Sequence, residues 1–309
     1  MTDTPTARLR IATRKSELAM WQARDVQQRL QAAHPAMIVS LVPLSTRGDR
    51  ITDRPLSAIG GKGLFLKELE QALLADEADI AVHSMKDVPA ELEPEFDLPV
   101  VLAGGSPFDA FVSNRFDSPG DLPAGARLGT SSLRRAAQLK HLRPDLEVDS
   151  LRGNVGTRLG KLDAGEFDAI VLACAGLERL GLADRIRQQI PPEVCLPAIG
   201  QGVMGIELRA GDTAAAEAVA ALNDVDTHVR VTAERAVNAR LAGSCHLPIA
   251  AFAELNAGQL RLRACVGAPD GGQLVADETT GPAEEAAALG TALAERLLAA
   301  GADRILAAL

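Results

Sequence analysis

Residues 64–87 read LFLKELEQALLADEADIAVHSMKD. Phe65, Leu69 and Leu73 recur every four residues, the spacing of one buried helix face. The chain then becomes continuously apolar at Ile80–Val82, a short strand, and ends on the polar group His83-Ser84-Met85-Lys86-Asp87. In an open α/β sheet, ligands bind just outside the carboxyl ends of the strands. Outward from this stretch the pattern repeats. Leu9–Ala12 and Val39–Leu44 read as strands around a helix from about Ser16 to Ala32. After Pro107 come strands at Phe111–Val112, Arg127–Leu128, Leu146–Leu151 and Ala169–Leu172, with helices at Ser132–His141 and Val155–Ala164. This alternation predicts α/β domains with mostly parallel sheets.

The last third differs in kind. A helix from about Thr227 to Leu241 is predicted to end on Gly243 as its C′ residue. Leu260–Val266 and Gln273–Asp277 flank Pro269-Asp270-Gly271-Gly272 as a hairpin, and an Ala/Leu/Glu-rich helix closes an α+β module. Seams are expected at Ala103–Pro107 and Pro191–Gly202, where glycine and proline gather.

The chain has 309 residues and a formal net charge of −9, from 32 Lys+Arg against 41 Asp+Glu. That balance argues against a broad nucleic-acid-binding face. Aromatics make up only 3%, with no Tyr and Trp21 alone, too few for a platform on which bases stack. Cys174, Cys195, Cys245 and Cys265 are far apart, which fits neither a disulfide framework nor a zinc site. The polar start MTDTPTARLR lacks a signal peptide's apolar core, and no run approaches the ~20 apolar residues of a membrane span. These features predict a soluble cytoplasmic protein with reduced thiols.

Polar clusters follow the predicted strands: Arg14-Lys15-Ser16, the His83–Asp87 group, Thr130-Ser131-Ser132-Leu133-Arg134-Arg135, and Arg152-Gly153-Asn154. Hydroxyls and guanidiniums at helix N-termini make an anion receptor, and Arg grips a carboxylate with two parallel hydrogen bonds. Each cluster also has a plainer explanation. Ser16, Ser131 and Ser132 can be N-caps, and Arg134 and Arg135 a solvated helix face. Four clusters at equivalent positions favour an anion-binding cleft.

Other motifs fail. Gly60-Gly61-Lys62-Gly63-Leu64 lacks the Ser or Thr and the glycine spacing of a P-loop, and Gly153-Asn154-Val155-Gly156 is not a dinucleotide fingerprint. His83 reads as a hydrogen-bonded structural residue. Cys245-His246 has no third partner for a thiol hydrolase, and the end of a helix does not lower a thiol pKa.

Taken together, the motifs resemble the porphobilinogen deaminase (hydroxymethylbilane synthase) family along essentially the whole chain. The resemblance rests on residues 11–16 (IATRKS), 46–49 (TRGD), 60–65 (GGKGLF), 81–89 (AVHSMKDVP), 129–135 (GTSSLRR), 150–158 (SLRGNVGTR), 196–202 (LPAIGQG) and 243–245 (GSC). It implies two periplasmic-binding-protein-like (type II) α/β domains with a cleft between them, plus a smaller C-terminal α+β domain. Their implied extents are 1–103 plus 203–220, 107–197 and 225–309. It further implies a dipyrromethane cofactor, attached by a thioether to Cys245. Four porphobilinogens are then condensed head to tail with loss of ammonia, and hydroxymethylbilane is released by water. Asp87 is the implied catalytic carboxylate. Cofactor and substrate carboxylates are assigned to Arg14, Ser16, Lys62, Ser84, Lys86, Thr130, Ser132, Arg134, Arg135, Arg152, Gly153, Asn154, Arg158, Arg179 and Gln201. No metal, nucleic acid or membrane is implied. A monomer is, with hand-over of hydroxymethylbilane to the next enzyme. The chain departs from the family pattern at Gly104-Gly105-Ser106-Pro107-Phe108, where acidic and arginine residues are common, and at Ala58, Ser244 and Ala250. A ligand-binding sensor on the same scaffold is the rival reading. It leaves Asp87 and Cys245 without a shared role.

Overall fold

The computed structural model describes residues 8–46, 66–243 and 247–309. In the first part, β1 (Arg8–Arg14) leads into α1 (Glu17–Ala33), which starts where Ser16 Oγ accepts the Ala19 N–H at 3.4 Å. α1 buries Ala19, Ala23, Val26 and Leu30, one stripe of an amphipathic helix. β2 (Ile38–Leu44), α2 (Lys67–Leu74), β3 (Ile80–Ser84) and β4 (Phe96–Val101) follow. α2 buries Leu69 and Leu73, two of the periodic residues of the opening stretch, together with Ala72; Phe65 lies outside the described residues. The next part holds β5 (Asp109–Val112), β6 (Arg127–Gly129), α3 (Leu133–Leu142), β7 (Glu147–Asp149) and α4 (Val155–Asp163). It continues through β8 (Ala169–Ala173), α5 (Cys174–Arg179) and β9 (Gln188–Ile190). β10 (Met204–Arg209), α6 (Thr213–Val219) and α7 (Val225–Arg240) come next.

Among the described residues, the first sheet has the order β2-β1-β3-β10-β4 and the second β7-β6-β8-β5-β9. β1, β2 and β3 are parallel, and β10 runs antiparallel to both its neighbours. In the second sheet β6, β7 and β8 are parallel and β5 is the reversed strand. The sheets are therefore mixed, with one reversed strand in the fourth position of each. This shared order is the type II periplasmic-binding-protein arrangement.

β11 (Ile249–Asn256), β12 (Gln259–Gly267) and β13 (Leu274–Pro282) form an antiparallel sheet of their own, followed by α8 (Ala286–Leu297) and α9 (Asp303–Ala307). Ala251, Leu260, Leu262 and Ala264 of that sheet pack with Val237, Leu293, Leu297 and Ile305, giving the smaller C-terminal domain its own core. The end of α7 differs from its predicted form. Ala242 takes the left-handed conformation (φ 50°) at C′, and Gly243 lies one residue further on, its N–H donating to the Asn238 carbonyl at 2.8 Å. Gly243 sits in a crowded spot: a Cβ would collide with Asn238 Oδ1 and lie 2.8 Å from Ile249 Cδ1, so both side chains would have to shift.

The chain divides into two compact units, with boundaries at Gly104/Gly105, Gly202/Val203 and His228/Val229. The first contains the β1–β4 and β10 sheet. The second contains the β5–β9 sheet and the C-terminal sheet.

Candidate active site

In the first unit, the register Ile11↔Ile80 and Ala12↔Ala81 brings the ends of β1 and β3 to one edge. Arg14 and Ser84 end these strands, and Ser16 caps α1 beside them. Ser84 Oγ accepts from Nε2 of the buried Gln22 at 2.8 Å. The chain then makes a single 3-10 turn, Met85–Asp87. Asp87 is half-buried, and no hydrogen bond or ion pair joins its side chain to another described residue. His83 points elsewhere. Its Nε2 lies 2.7 Å from Glu207 Oε2, both residues buried, which is a structural pairing.

In the second unit, Gly129 pairs with Asp149 and with Ile170, so the ends of β6, β7 and β8 share an edge. Thr130 donates its N–H to the Asp149 carbonyl at 2.9 Å and accepts the Ser132 N–H on Oγ1 at 3.2 Å. Ser132 caps α3 and Asn154 caps α4, accepting N–H groups from Arg135 at 3.5 Å and Thr157 at 2.8 Å. Ser131 is no cap; its hydroxyl donates to the Leu151 carbonyl at 2.6 Å. Gly153 has φ 115°, and a Cβ there would sit 2.7 Å from Thr157 Cβ and Cγ2. Arg158 Nε donates to the Gly153 carbonyl at 2.8 Å, and Arg179 Nη2 to the Gly202 carbonyl at 2.6 Å. Two helix N-termini thus meet one strand edge, giving a partial positive charge and unpaired N–H groups. Arg152 adds a buried Nε–H with no acceptor among the described residues, and burial lowers its guanidinium pKa. These donors suit a ligand that brings carboxylates, as dipyrromethane does.

Arg134, Arg135 and Gln201 are placed differently. Both arginines are buried rather than solvated, 4% and 6% exposed, and the carboxylate they grip belongs to the protein. Asp109 accepts from Arg134 at 2.8 and 3.1 Å, from Arg135 at 3.0 and 2.7 Å, and from Gln201 Nε2 at 3.0 Å. Arg134 also donates to the Leu196 carbonyl and Arg135 to the Val171 carbonyl. Burial alone would push the Asp109 carboxyl up, but the two adjacent guanidiniums outweigh it and hold it well below the usual carboxylate range. Asp109 is the residue sequence reasoning missed. Its partners lie 25, 26 and 92 positions away. A fully apolar neighbourhood (Ala110, Phe111, Val112) beside one Asp is the signal that could have found it.

Cys174, Cys195 and Cys265 are buried, and burial pushes each thiol up to about 12. Lys62 and Cys245, with the rest of the 47–65 and 244–246 motifs, lie outside the described residues.

Two type II α/β domains with donor-rich strand ends, followed by a smaller α+β domain, define the class to which this chain belongs. Similar solved structures include the periplasmic aliphatic sulphonate binding protein SsuA of Escherichia coli (14% identity over 75% of this chain and 70% of that one, TM-score 0.40). A YaeC-family lipoprotein of Enterococcus faecalis is 15% identical over 70% of this chain and 90% of its own, TM-score 0.42. The family model described as "Porphobilinogen deaminase, dipyromethane cofactor binding domain" matches residues 9–217, and "Porphobilinogen deaminase, C-terminal domain" matches 228–299. The chain belongs to the porphobilinogen deaminase family. Its domains are those of a transferase of porphyrin and haem biosynthesis, hydroxymethylbilane synthase. No helix among the described residues is long and apolar enough to cross a membrane.

Proposed function

We propose that the chain joins four porphobilinogen molecules head to tail on a dipyrromethane held by a thioether to Cys245. One ammonia leaves per porphobilinogen, and water finally releases hydroxymethylbilane. The reading includes a monomer in the cytoplasm that hands its product to the next enzyme. It also includes a division of labour: 1–103 plus 203–220 carry Asp87, 107–197 hold carboxylates, and 225–309 carry Cys245.

The observation that carries it is Asp87, a half-buried carboxylate at a strand end with no partner among the described residues. Loss of ammonia from porphobilinogen puts positive charge on the pyrrole nitrogen. A preorganised carboxylate stabilises that charge and assists proton transfer at the reacting carbon. Dipyrromethane, when bound, supplies the pyrrole end to which the first substrate is joined. Each porphobilinogen brings an acetate and a propionate. Arg14, Ser16, Lys62, Ser84 and Lys86 hold such carboxylates in the first unit. Thr130, Ser132, Arg152, Gly153, Asn154, Arg158 and Arg179 do so in the second. Arg134, Arg135 and Gln201 support them through Asp109, which ties the start of α3 to the 195–201 segment.

The burial of the other three thiols supports Cys245 as the attachment point. Denatured intact mass tests it. The parent is expected to carry two extra pyrrole units that Cys245→Ser lacks. Peptide mapping that places the adduct on Cys174, Cys195 or Cys265 overturns the assignment.

A further inference from the structure

The turn that carries Asp87 is suspended from β10. Met85 donates its N–H to the Val203 carbonyl at 3.0 Å, just before β10 begins, and Gly205 stands opposite His83 across the β3–β10 ladder. A Cβ on Gly205 would run into the Met85 sulfur and come within 3.2 Å of Leu98 Cδ2 on β4. The thioether therefore fills the space where any other residue at 205 has its side chain. Met85 is 1% exposed and cannot swing into solvent. Gly205 has no positive φ, so its backbone accepts alanine. The consequence of a methyl group there falls on Met85, and Met85 shares a single turn with Asp87. The Met85 side chain is flexible, but its surroundings are close-packed and Leu98 crowds the same spot, so the displacement is passed toward the Met85 backbone.

We propose that Gly205 and Met85 are positioning residues for Asp87, setting its height above the strand edge through this contact. The inference rests on Asp87 acting as the catalytic carboxylate. Misplacing a reacting group by about 1 Å costs up to roughly a hundredfold in rate.

Gly205→Ala is therefore expected to lower kcat about tenfold to hundredfold. Dipyrromethane loading, read by intact mass, should be retained, and KM for porphobilinogen should rise by a smaller factor than kcat falls, because Ser84 and Lys86 flank Met85 at the same turn. Adding Met85→Ala vacates the sulfur's place, so Gly205→Ala/Met85→Ala should turn over faster than Gly205→Ala. Relieving the overlap also restores stability, so urea unfolding is measured alongside, and the kcat loss counts as positional only where Gly205→Ala is fully folded. Parent-like kcat in Gly205→Ala overturns the proposal, as does a double variant no faster than the single. Should Gly205→Ala fail to fold by circular dichroism, Met85→Ala alone decides: kcat falls by a larger factor than KM rises, or the idea is lost. Asp87→Asn, assayed in parallel, separates the two readings. Near-parent turnover there removes Asp87 from the chemistry, whereas an inactive Asp87→Asn beside a normal Gly205→Ala removes only the positioning role.

Discussion

At the carboxyl edge of the first sheet, Asp87 stands half-buried without a partner among the described residues. In the second sheet, Asp109 opens the reversed strand fully buried, with two guanidiniums and an amide on it. The two sheets have the same strand order, so topology does not distinguish these acids. Their surroundings do. A carboxylate whose oxygens are filled by protein donors holds structure together and has nothing left for a ligand. One left without donors is available to a developing positive charge. The arginines of the second unit differ by degree: Arg134 and Arg135 are engaged by Asp109, and Arg134 and Arg152 each keep a buried Nε–H without an acceptor among the described residues.

The sharpest way to break this contrast is to neutralise Asp109. Asp109→Asn leaves two buried guanidiniums without their anion, and removing one partner from a buried ionic cluster costs about 3–5 kcal/mol. Urea unfolding at neutral pH should show that loss. A change under about 1 kcal/mol would mean that water or rearrangement compensates the arginines, and the structural role would fall.

The same change at Asp87 should act on rate and leave stability nearly untouched. Asp87→Asn is close to isosteric and breaks no hydrogen bond to a described residue, yet removes the anion. Loss of one electrostatic stabiliser costs on the order of 10²–10³ in kcat. The variant should unfold at the parent's urea midpoint and load dipyrromethane normally. Destabilisation like that of Asp109→Asn would erase the distinction between the two acids.

Much of this architecture is legible in the order of residues alone. Leu69 and Leu73 mark α2, and Ile80–Val82 mark β3, because local period reports which face is buried. The polar edges follow from strand ends, and Ser16, Ser132 and Asn154 are the caps that residue type suggests. What escapes is non-local or weakly encoded. β10 pairs with β3 across more than a hundred residues, and no local pattern announces a reversed strand in a parallel sheet. β11 is Ala-rich (Ile249-Ala250-Ala251-Phe252-Ala253), and alanine favours helix over strand, so the third strand beside the predicted hairpin goes unseen. Arg134 and Arg135 look solvent-facing in sequence because Asp109 is 25 positions away.

Glu234 on α7 sharpens the comparison from within the second unit, with the smallest effect. Like Asp109 it is buried, but its described partners are backbone: Gly200 N–H on Oε2 at 2.7 Å and Ala253 N–H on Oε1 at 2.9 Å. Burial pushes its carboxyl up to about 7, and these two hydrogen bonds and the Arg230 charge do not bring it back. The unfolded chain releases the proton near the ordinary value of 4.5. Between those pH values the folded state holds a proton that the unfolded state lacks, so stability falls as pH rises through the window and levels off above it. The slope is roughly 1.4 kcal/mol per pH unit. Urea unfolding at pH 5.5 and 6.5 should show the parent losing about that much more than Glu234→Gln, which has no proton to release. Asp109, held below the usual range, does not titrate in this window, so Asp109→Asn should keep the parent's slope while being far less stable. Identical slopes in the parent and Glu234→Gln would show that two backbone donors suffice to keep a buried carboxylate charged, and that the arginines beside Asp109 are not what sets the two acids apart.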